Sequence, residues 1–511
     1  MKRGRIDGGI SKEDYERSEA SLGTNGNSFG SGFDRASNDV INTRRIAAVG
    51  ASSPLEATHF TALNDAFVAT LTSQWAHNKH GDWTENMREY INYARDVTAK
   101  FGGRSGQLLT FGSGDCGQLG HGVDEDDDLM VKFPRIVALL QSQKITRVMC
   151  GGLHSAAITS DGHVYTWGCN DDGALGRDGD ENLPARVEGF GPSRRAVLAV
   201  GGDSHTAVMT ASGHVYTWGA YKDKEGKMWC DSAAPSSSFK QKQPKPFLIK
   251  GLSHVVDLKC GSSFNVVRTS QGHVYSWGLG EMGQLARPVD AQIRDDKDEY
   301  KVDMVHREHL AAKRVALGSE ELPPVKAIGC GSYHTLVVLS ANGYLYSCGL
   351  NNYGQLGIGS DKNCDVLQLV DDLTDKNIAA AEGGTHHSIV LTNDGEVYAF
   401  GRADSGQLGM LDVCQTGDFK DRPQKVTFNP SGVTIQNIAS GSNHTLALTE
   451  DNHIYSWGYG DMLALGHGDE QDENRPRRFN WTKTKFGDAQ ILQIDAGGQH
   501  SAILAAKKSA P

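Results

Sequence analysis

From Leu108 onward the chain repeats one pattern of apolar and polar positions. Seven short runs alternate β-branched or aromatic residues with small polar ones and stop on a glycine: "LLTFG", "VYTWG", "VYTWG", "VYSWG", "LYSCG", "VYAFG" and "IYSWG", ending at Gly112, Gly168, Gly219, Gly278, Gly349, Gly401 and Gly458. Period-two alternation predicts half-buried strands. A second run stands upstream of six of them: "GGLHSAAI", "GGDSHTAVM", "GSSFNVV", "GSYHTLVVL", "GGTHHSIVL" and "GSNHTLAL". Between the two runs lie Asp161-Gly162, Ser212-Gly213, Gln271-Gly272, Asn342-Gly343, Asp394-Gly395 and Asp451-Asn452. Such pairs predict two-residue hairpins, because both central positions accept positive φ.

The glycine-ended runs step by 56, 51, 59, 71, 52 and 57 residues, the length of a propeller blade. The two ends of the array are offset. The first "LLTFG" has no Gly-His run before it, and the last Gly-His run, "GGQHSAIL" (497–504), has no partner after it. The C-terminal strand therefore completes the blade that "LLTFG" begins, and closure hides the edges that would otherwise pair with other chains. The expected fold is all-β: a seven-bladed propeller over 105–506, closed by its C-terminal strand, with a tail at 507–511. Ahead of it come a Gly/Ser/Asn-rich arm at 1–50, expected to be disordered, and a helical segment at 51–104. In that segment Phe60, Leu63, Phe67, Leu71 and Trp75 fall on one helical face. Trp83, Met87, Tyr90 and Val97 mark a second helix, and the resulting hairpin either docks on the propeller or offers its apolar face to a partner.

Composition narrows the chemistry. Gly is abundant, 61 of 511, and net charge is −11, which disfavours a whole-surface nucleic-acid binder but leaves room for a basic protein partner. No run is long and apolar enough to span a bilayer, and the start lacks the apolar core of a secretory signal. Nine Cys stand singly with no C-x-x-C pair, which points to buried thiols and argues against structural zinc. His154, His205, His334, His387, His444 and His500 fill one equivalent place in six of seven repeats, which marks them as structural. The residues just before them differ between blades (Asp203 with Ser204, Ser263, Tyr333, His386, Asn443, Gln499) and are the candidates for partner contact. No metal cluster and no nucleophile–base pair stands apart from the repeat, so neither a cofactor nor a small-molecule substrate is expected.

The paired phrases resemble those of the regulator of chromosome condensation repeat family, over about four-fifths of the chain. The fold implied is the same seven-bladed propeller, which in that family serves several activities. "CNDDGALGRD" followed by "GGDSHTA" is similar to the branch that exchanges nucleotide on the small GTPase Ran. The third copy breaks its pattern as that branch does: "WGAYKDKEG" (218–226) stands where Gly-Gln-Leu-Gly is usual. The resemblance implies a wedge there, formed by Tyr221, Lys222, Asp223, Lys224, Glu225 and Gly226. It also implies that Asp203 and His386 serve exchange and that Asp115 and Asn352 face the GTPase, with His500 a further contact. The 71-residue interval, carrying "DAQIRDDKDEYKVD", matches an enlarged loop of that branch. No Gly-Trp-Arg-His-Thr motif of the family's light sensors is present. One departure stands out: Ser263-Phe264 occupies the place of an Asp-His pair tied to turnover. On these grounds the expected function is exchange without covalent chemistry, in the nucleus, with histones or chromatin as further partners. The alternative is a propeller scaffold that has lost exchange.

The first ninety residues resemble the importin-α-binding region of nuclear-basket nucleoporins, through "FDRASNDVINTRRI" (33–46) and a later "LN-x-x-F". The resemblance implies importin-α contacts at Lys2, Arg3, Phe33, Arg44 and Arg45.

Overall fold

In the computed structural model the described residues are 93, 97, 100, 101, 103–122, 129–222, 239–288, 299–411, 415, 417–480 and 489–507. Seven four-stranded antiparallel sheets form the blades. Blade one is Ile145–Cys150, His154–Thr159, Val164–Gly168 and Ala185–Val187, counted from the centre outward, and blades two to six follow with first strands Ala196–Gly201, Val255–Cys260, Val325–Cys330, Ile378–Gly383 and Ile435–Ser440. Blade seven is built from both chain ends. Gln107–Ser113 pairs with His500–Lys507, Leu109 opposite Ile503 and Gly112 opposite His500, between Ala489–Ala496 and Met130–Ile136. The offset phrases close the ring as their order predicts.

The hairpins differ from expectation in length. Thr159, Thr210, Thr269, Thr392 and Thr449 each donate their backbone N–H to the carbonyl four residues on, enclosing three residues rather than two. The third enclosed residue takes the left-handed conformation, as at Gly162 (φ +84°) and Asn452 (φ +69°), so one positive-φ position suffices.

Blades pack through apolar seams. Met149, Ile158 and Val164 of blade one meet Phe190, Val208 and Trp218 around blade two in one buried cluster. Trp167, Trp218, Trp277 and Trp457 are fully buried, each worth about 2–3 kcal/mol of burial. Polar links cross the same seams. His154 Nε2 reaches Thr206 Oγ1 (2.8 Å), His205 Asn265 Oδ1 (3.2 Å), His334 Ser388 Oγ (2.8 Å), His387 Ser440 Oγ (3.2 Å), His444 Ser501 Oγ (2.8 Å) and His500 Ser155 Oγ (2.7 Å). His500 is wholly buried in this chain of links, which corrects its assignment as a partner contact: its ring is spent on closing the ring of blades. Phe264 takes the seventh place, buried against Ile328 and Val337 of blade four, so apolar packing stands there in place of a hydrogen bond.

Residues 299–310, inside the 71-residue interval, form a helix, Glu299–Leu310, rather than loop. Arg287 donates to the carbonyls of Glu308 (3.3 Å), His309 (3.1 Å) and Ala311 (3.3 Å), satisfying the helix's C-terminal end. Tyr93, Val97, Lys100 and Phe101 are helical, and Tyr93, Val97 and Phe101 are buried in the cluster shared by blades two and three. The Tyr93 hydroxyl donates to Val255 O and Lys100 Nζ to Val256 O (3.2 Å). This part of the expected second helix therefore docks on the propeller. The expected first helix and the arm lie outside the described residues.

Candidate functional site

The first strand of every blade ends at a turn, and those seven turns bond one another in a closed collar. Gly152 N–H donates to Gly202 O, Asp203 to Ser262 O, Ser262 to Ser332 O, Ser332 to Gly384 O, Thr385 to Ser442 O, Ser442 to Gly497 O and Gly498 to Gly151 O, all between 2.8 and 3.1 Å. Glycine is required inside the collar: a Cβ on Gly202 would stand 2.3 Å from His205 Cε1. The collar rings one mouth of a central channel of about 610 Å³ lined by the first strands of all seven blades. Strands two and three run down and back, so the loops after the third strands rise on the collar side. The helix at Tyr93 docks against Val255 and Val256, at the start of a first strand and hence on the opposite face.

The residue before each inward histidine stands on this collar. Asp203 is exposed at the mouth. Burial of the carboxylate's surroundings holds its pKa above the ordinary value, and a hydrogen bond from Ser262 opposes the shift. Facing it is the neighbouring loop. Lys222 Nζ pairs with Asp172 Oδ1 at 2.5 Å, and Asp172 Oδ2 accepts from Ser204 Oγ at 2.8 Å. Asp171, Asp172, Asp203, Ser204 and Lys222 line one depression of about 630 Å³, whose other wall carries Thr385, Asn443 and Gln499. The structure thus brings the candidate residues Asp203 and Lys222 to one place.

Asn352 and His386 form a second group on the same rim. Gln355 Nε2 donates to Asn352 Oδ1 (3.1 Å) and lies 3.5 Å from His386 Nδ1. The His386 ring stacks near Tyr333 (6.3 Å) and packs against Tyr353 (5.1 Å), over which sits Arg402, itself held by two 2.8 Å bonds to Asp404. Burial, and then the Arg402 charge, lower the His386 pKa, so the ring is neutral. Asp115 stands exposed on blade seven at the corresponding loop.

Tyr221 departs from expectation. Gly219, at φ +99° and with no room for a Cβ beside Ser204 O (2.2 Å), turns the chain up, but the Tyr221 side chain then folds inward and is 1% exposed. Its hydroxyl bonds Asn265 Nδ2 (2.9 Å), Trp277 Nε1 (3.0 Å) and Thr217 Oγ1 (3.2 Å). It cannot be a surface contact of the expected wedge, because burial of the ring and pairing of the oxygen fix it in the interior at the start of that segment. Of the wedge, Lys222 is described, and Asp223, Lys224, Glu225 and Gly226 lie outside the described residues, as do Lys2, Arg3, Phe33, Arg44 and Arg45.

Sequence reasoning passed over Asp172, Tyr353 and Arg402. A signal was present: at two junctions the residue before the glycine of the "x-G-[QA]-L" turn sits beside the residue before the next blade's histidine, Asp172 with Ser204 and Tyr353 with His386. Pairing the two repeat phrases across blades, rather than within one, would have found both. The depression is acidic around one cation, a mouth suited to a basic protein surface. Among the described residues no group of His, Cys, Asp and Glu is arranged to hold a metal.

A family model described as "RCC1-like domain" matches residues 107–503. The regulator of chromosome condensation of Xenopus laevis is 33% identical over 412 residues, covering 79% of this chain and 91% of that protein. The solved structure of Prp20p from Saccharomyces cerevisiae, described with its binding properties to Gsp1p and histones, superposes with a TM-score of 0.68 at 26% identity, over 80% of this chain and 92% of that one. Yeast Prp20 solved with Kap60 bound gives a TM-score of 0.68 at 27% identity, over 80% of this chain and 90% of that one.

Proposed function

The chain belongs to the regulator of chromosome condensation family, and from that premise we propose that it is a guanine-nucleotide exchange factor for the small GTPase Ran, working through the collar face. The observation that carries this reading is local. The one blade that abandons its ordinary turn does so beside Asp203, and the replacement loop emerges at Lys222 into the acidic mouth.

A GTPase that holds GDP with nanomolar or tighter affinity, about −12 kcal/mol or more, releases it slowly unaided. A factor that binds the empty GTPase and deforms its phosphate site weakens nucleotide binding, and nucleotide weakens factor binding by the same factor. Asp203, Asp171 and Asp172 supply charge complementary to a basic surface and speed encounter. The segment from Lys222 to Gly226 acts as the wedge on its rigid root, and His386 with Asn352 orients the GTPase across the rim. Direction comes from the nucleotide pool, and no covalent step occurs. The site of action is the nucleus. Histones or chromatin are further partners, and the arm, through Lys2, Arg3, Phe33, Arg44 and Arg45, engages importin α.

The test mixes the full chain with Ran loaded with fluorescent GDP. Catalytic acceleration of release is expected, reduced at least tenfold by Asp203→Ala and by replacing 222–226 with Gly-Ser. No acceleration at stoichiometric protein overturns the reading. A second reading, a non-catalytic scaffold, is favoured by one observation: Ser263 and Phe264 leave blade three without the carboxylate and histidine that the exchanging branch carries there.

A further inference from the structure

The ordinary turn does more than fill space: its backbone carbonyls are acceptors on which the seams depend. Gln118 O accepts from Trp167 Nε1 (2.9 Å) and Ser155 Oγ (2.8 Å), while Leu119 O accepts from Thr110 Oγ1 (2.7 Å). Ala174 O accepts from Trp218 Nε1 (2.7 Å) and Thr206 Oγ1 (2.8 Å), and Leu175 O from Thr166 Oγ1 (2.8 Å). Further copies repeat one or both roles at Gln284 and Leu285, Gln355 and Leu356, Gln407, and Ala464 and Leu465. The sequence of blade two lacks this turn phrase. Its Thr217, and blade three's Asn265 and Trp277, would be left with buried groups unpaired, a costly state. One hydroxyl meets all three, that of Tyr221. The amide of Asn265 and the indole of Trp277 must donate, so the phenol gives its own hydrogen to Thr217 Oγ1.

We propose that Tyr221 is a positioning residue: its hydroxyl stands in for the missing turn carbonyl toward Asn265 and Trp277, bonds Thr217 where the second carbonyl would and, by pinning the chain at 221, sets where Lys222 meets Asp172 and Ser204 at the mouth. The ring is buried and its oxygen paired on three sides, so the next residue leaves the blade from a fixed point. Asp172, held by Ser204, receives Lys222 there. The role in exchange rests on the function proposed above, whereas the pinning of Lys222 does not.

The experiment compares the full chain with Tyr221→Phe, which keeps the ring and removes the oxygen. A second variant, Tyr221→Phe with Trp277→Phe, also removes the stranded indole, and phenylalanine already stands at the equivalent places Phe111 and Phe400. Peptide hydrogen exchange at 220–222 and 169–174, thermal midpoints and the rate of GDP release from Ran are measured on all three. Tyr221→Phe is expected to raise hydrogen exchange at those peptides and to lower the maximal release rate about tenfold. The half-saturating GTPase concentration should stay within about twofold. The double variant should recover thermal stability yet remain slow and remain open at 220–222. Recovery of release with stability would overturn the proposal, as would unchanged hydrogen exchange in Tyr221→Phe. If the unmodified chain fails to release GDP, the functional reading falls alone, and the hydrogen-exchange arm still decides whether Tyr221 pins Lys222.

Discussion

Acidification should unfold this propeller sharply, because the seams demand neutral histidine. The acceptors show which tautomer is present. Thr206, Ser388, Ser501 and Ser155 each donate their own hydroxyl hydrogen to a turn carbonyl, so they must accept from His154, His334, His444 and His500, whose Nε2 therefore carries the proton. The Nδ1 atoms of His154, His334, His387 and His500 are buried with no hydrogen-bond partner among the described residues. A second proton would place a charge there without a partner. Burial accordingly pushes His154, His334, His387 and His500 down to about 3 and His205 and His444 to about 4. In the unfolded chain each titrates at its ordinary value of about 6.5. A group whose folded pKa is depressed favours the native state undiminished above that value and progressively penalises it as pH falls below it. At about pH 5 each histidine costs about 2 kcal/mol, and six cost about 12. Asp495, in the channel, works the other way: burial raises it to about 7, so protonation on acidification returns about 2 kcal/mol to the native state. The net loss of about 10 kcal/mol matches the whole stability of an ordinary domain, about 5–15 kcal/mol. Urea unfolding followed by tryptophan fluorescence, to which buried Trp167, Trp218, Trp277 and Trp457 contribute, at about pH 7, 6 and 5, reads this directly. The slope from these groups should approach about five protons, one for each of the six histidines less the one that native Asp495 takes up, and His334→Gln, which keeps a donor toward Ser388, should remove about one of them, or about 1.4 kcal/mol per pH unit. A fall from about pH 7 to 5 worth no more than one histidine, about 2 kcal/mol, would refute the reasoning.

Other outcomes follow from single observations. Phe264→His places an imidazole opposite Thr335, whose hydroxyl already donates to Gln284 O (2.7 Å) and is free to accept. Stability at neutral pH should change by no more than about 1 kcal/mol, and the acid slope should gain one proton, read in the same titration. The acidic mouth predicts that the second-order rate for GTPase encounter falls about tenfold between about 0.05 and 0.3 M salt, measured by stopped flow, with little change in the rate at saturation. Deleting residues 1–90, which spares Tyr93 and Phe101, should abolish capture by importin α in a pull-down while leaving the maximal GDP release rate unchanged within about twofold, because the docked helix lies on the face opposite Asp203.

The ring was legible because repetition exposes it: seven strand phrases, offset ends and an equivalent histidine need no tertiary knowledge to imply closure. The hairpin length was misjudged because Asp-Gly suits both a two-residue turn and a three-residue one, and the choice depends on which carbonyl the preceding threonine faces. Asp203 and His386 were visible as variable positions in a constant frame. Asp172 and Arg402 were not, because what matters about them is a neighbour in the next blade. Tyr221 shows the limit most clearly. Read along the chain it belongs to a charged, broken segment and looks like surface. Its burial follows only from polar groups on Thr217, Asn265 and Trp277, which the lost turn phrase leaves waiting, and from an unusual Asn265 where the other blades carry Ser or Thr. A break in a repeat therefore has two consequences that sequence shows as one. It frees a loop for a partner, and it removes acceptors that the neighbouring blades require. The residue at the junction answers the second demand, so the first can be met only by residues beyond it.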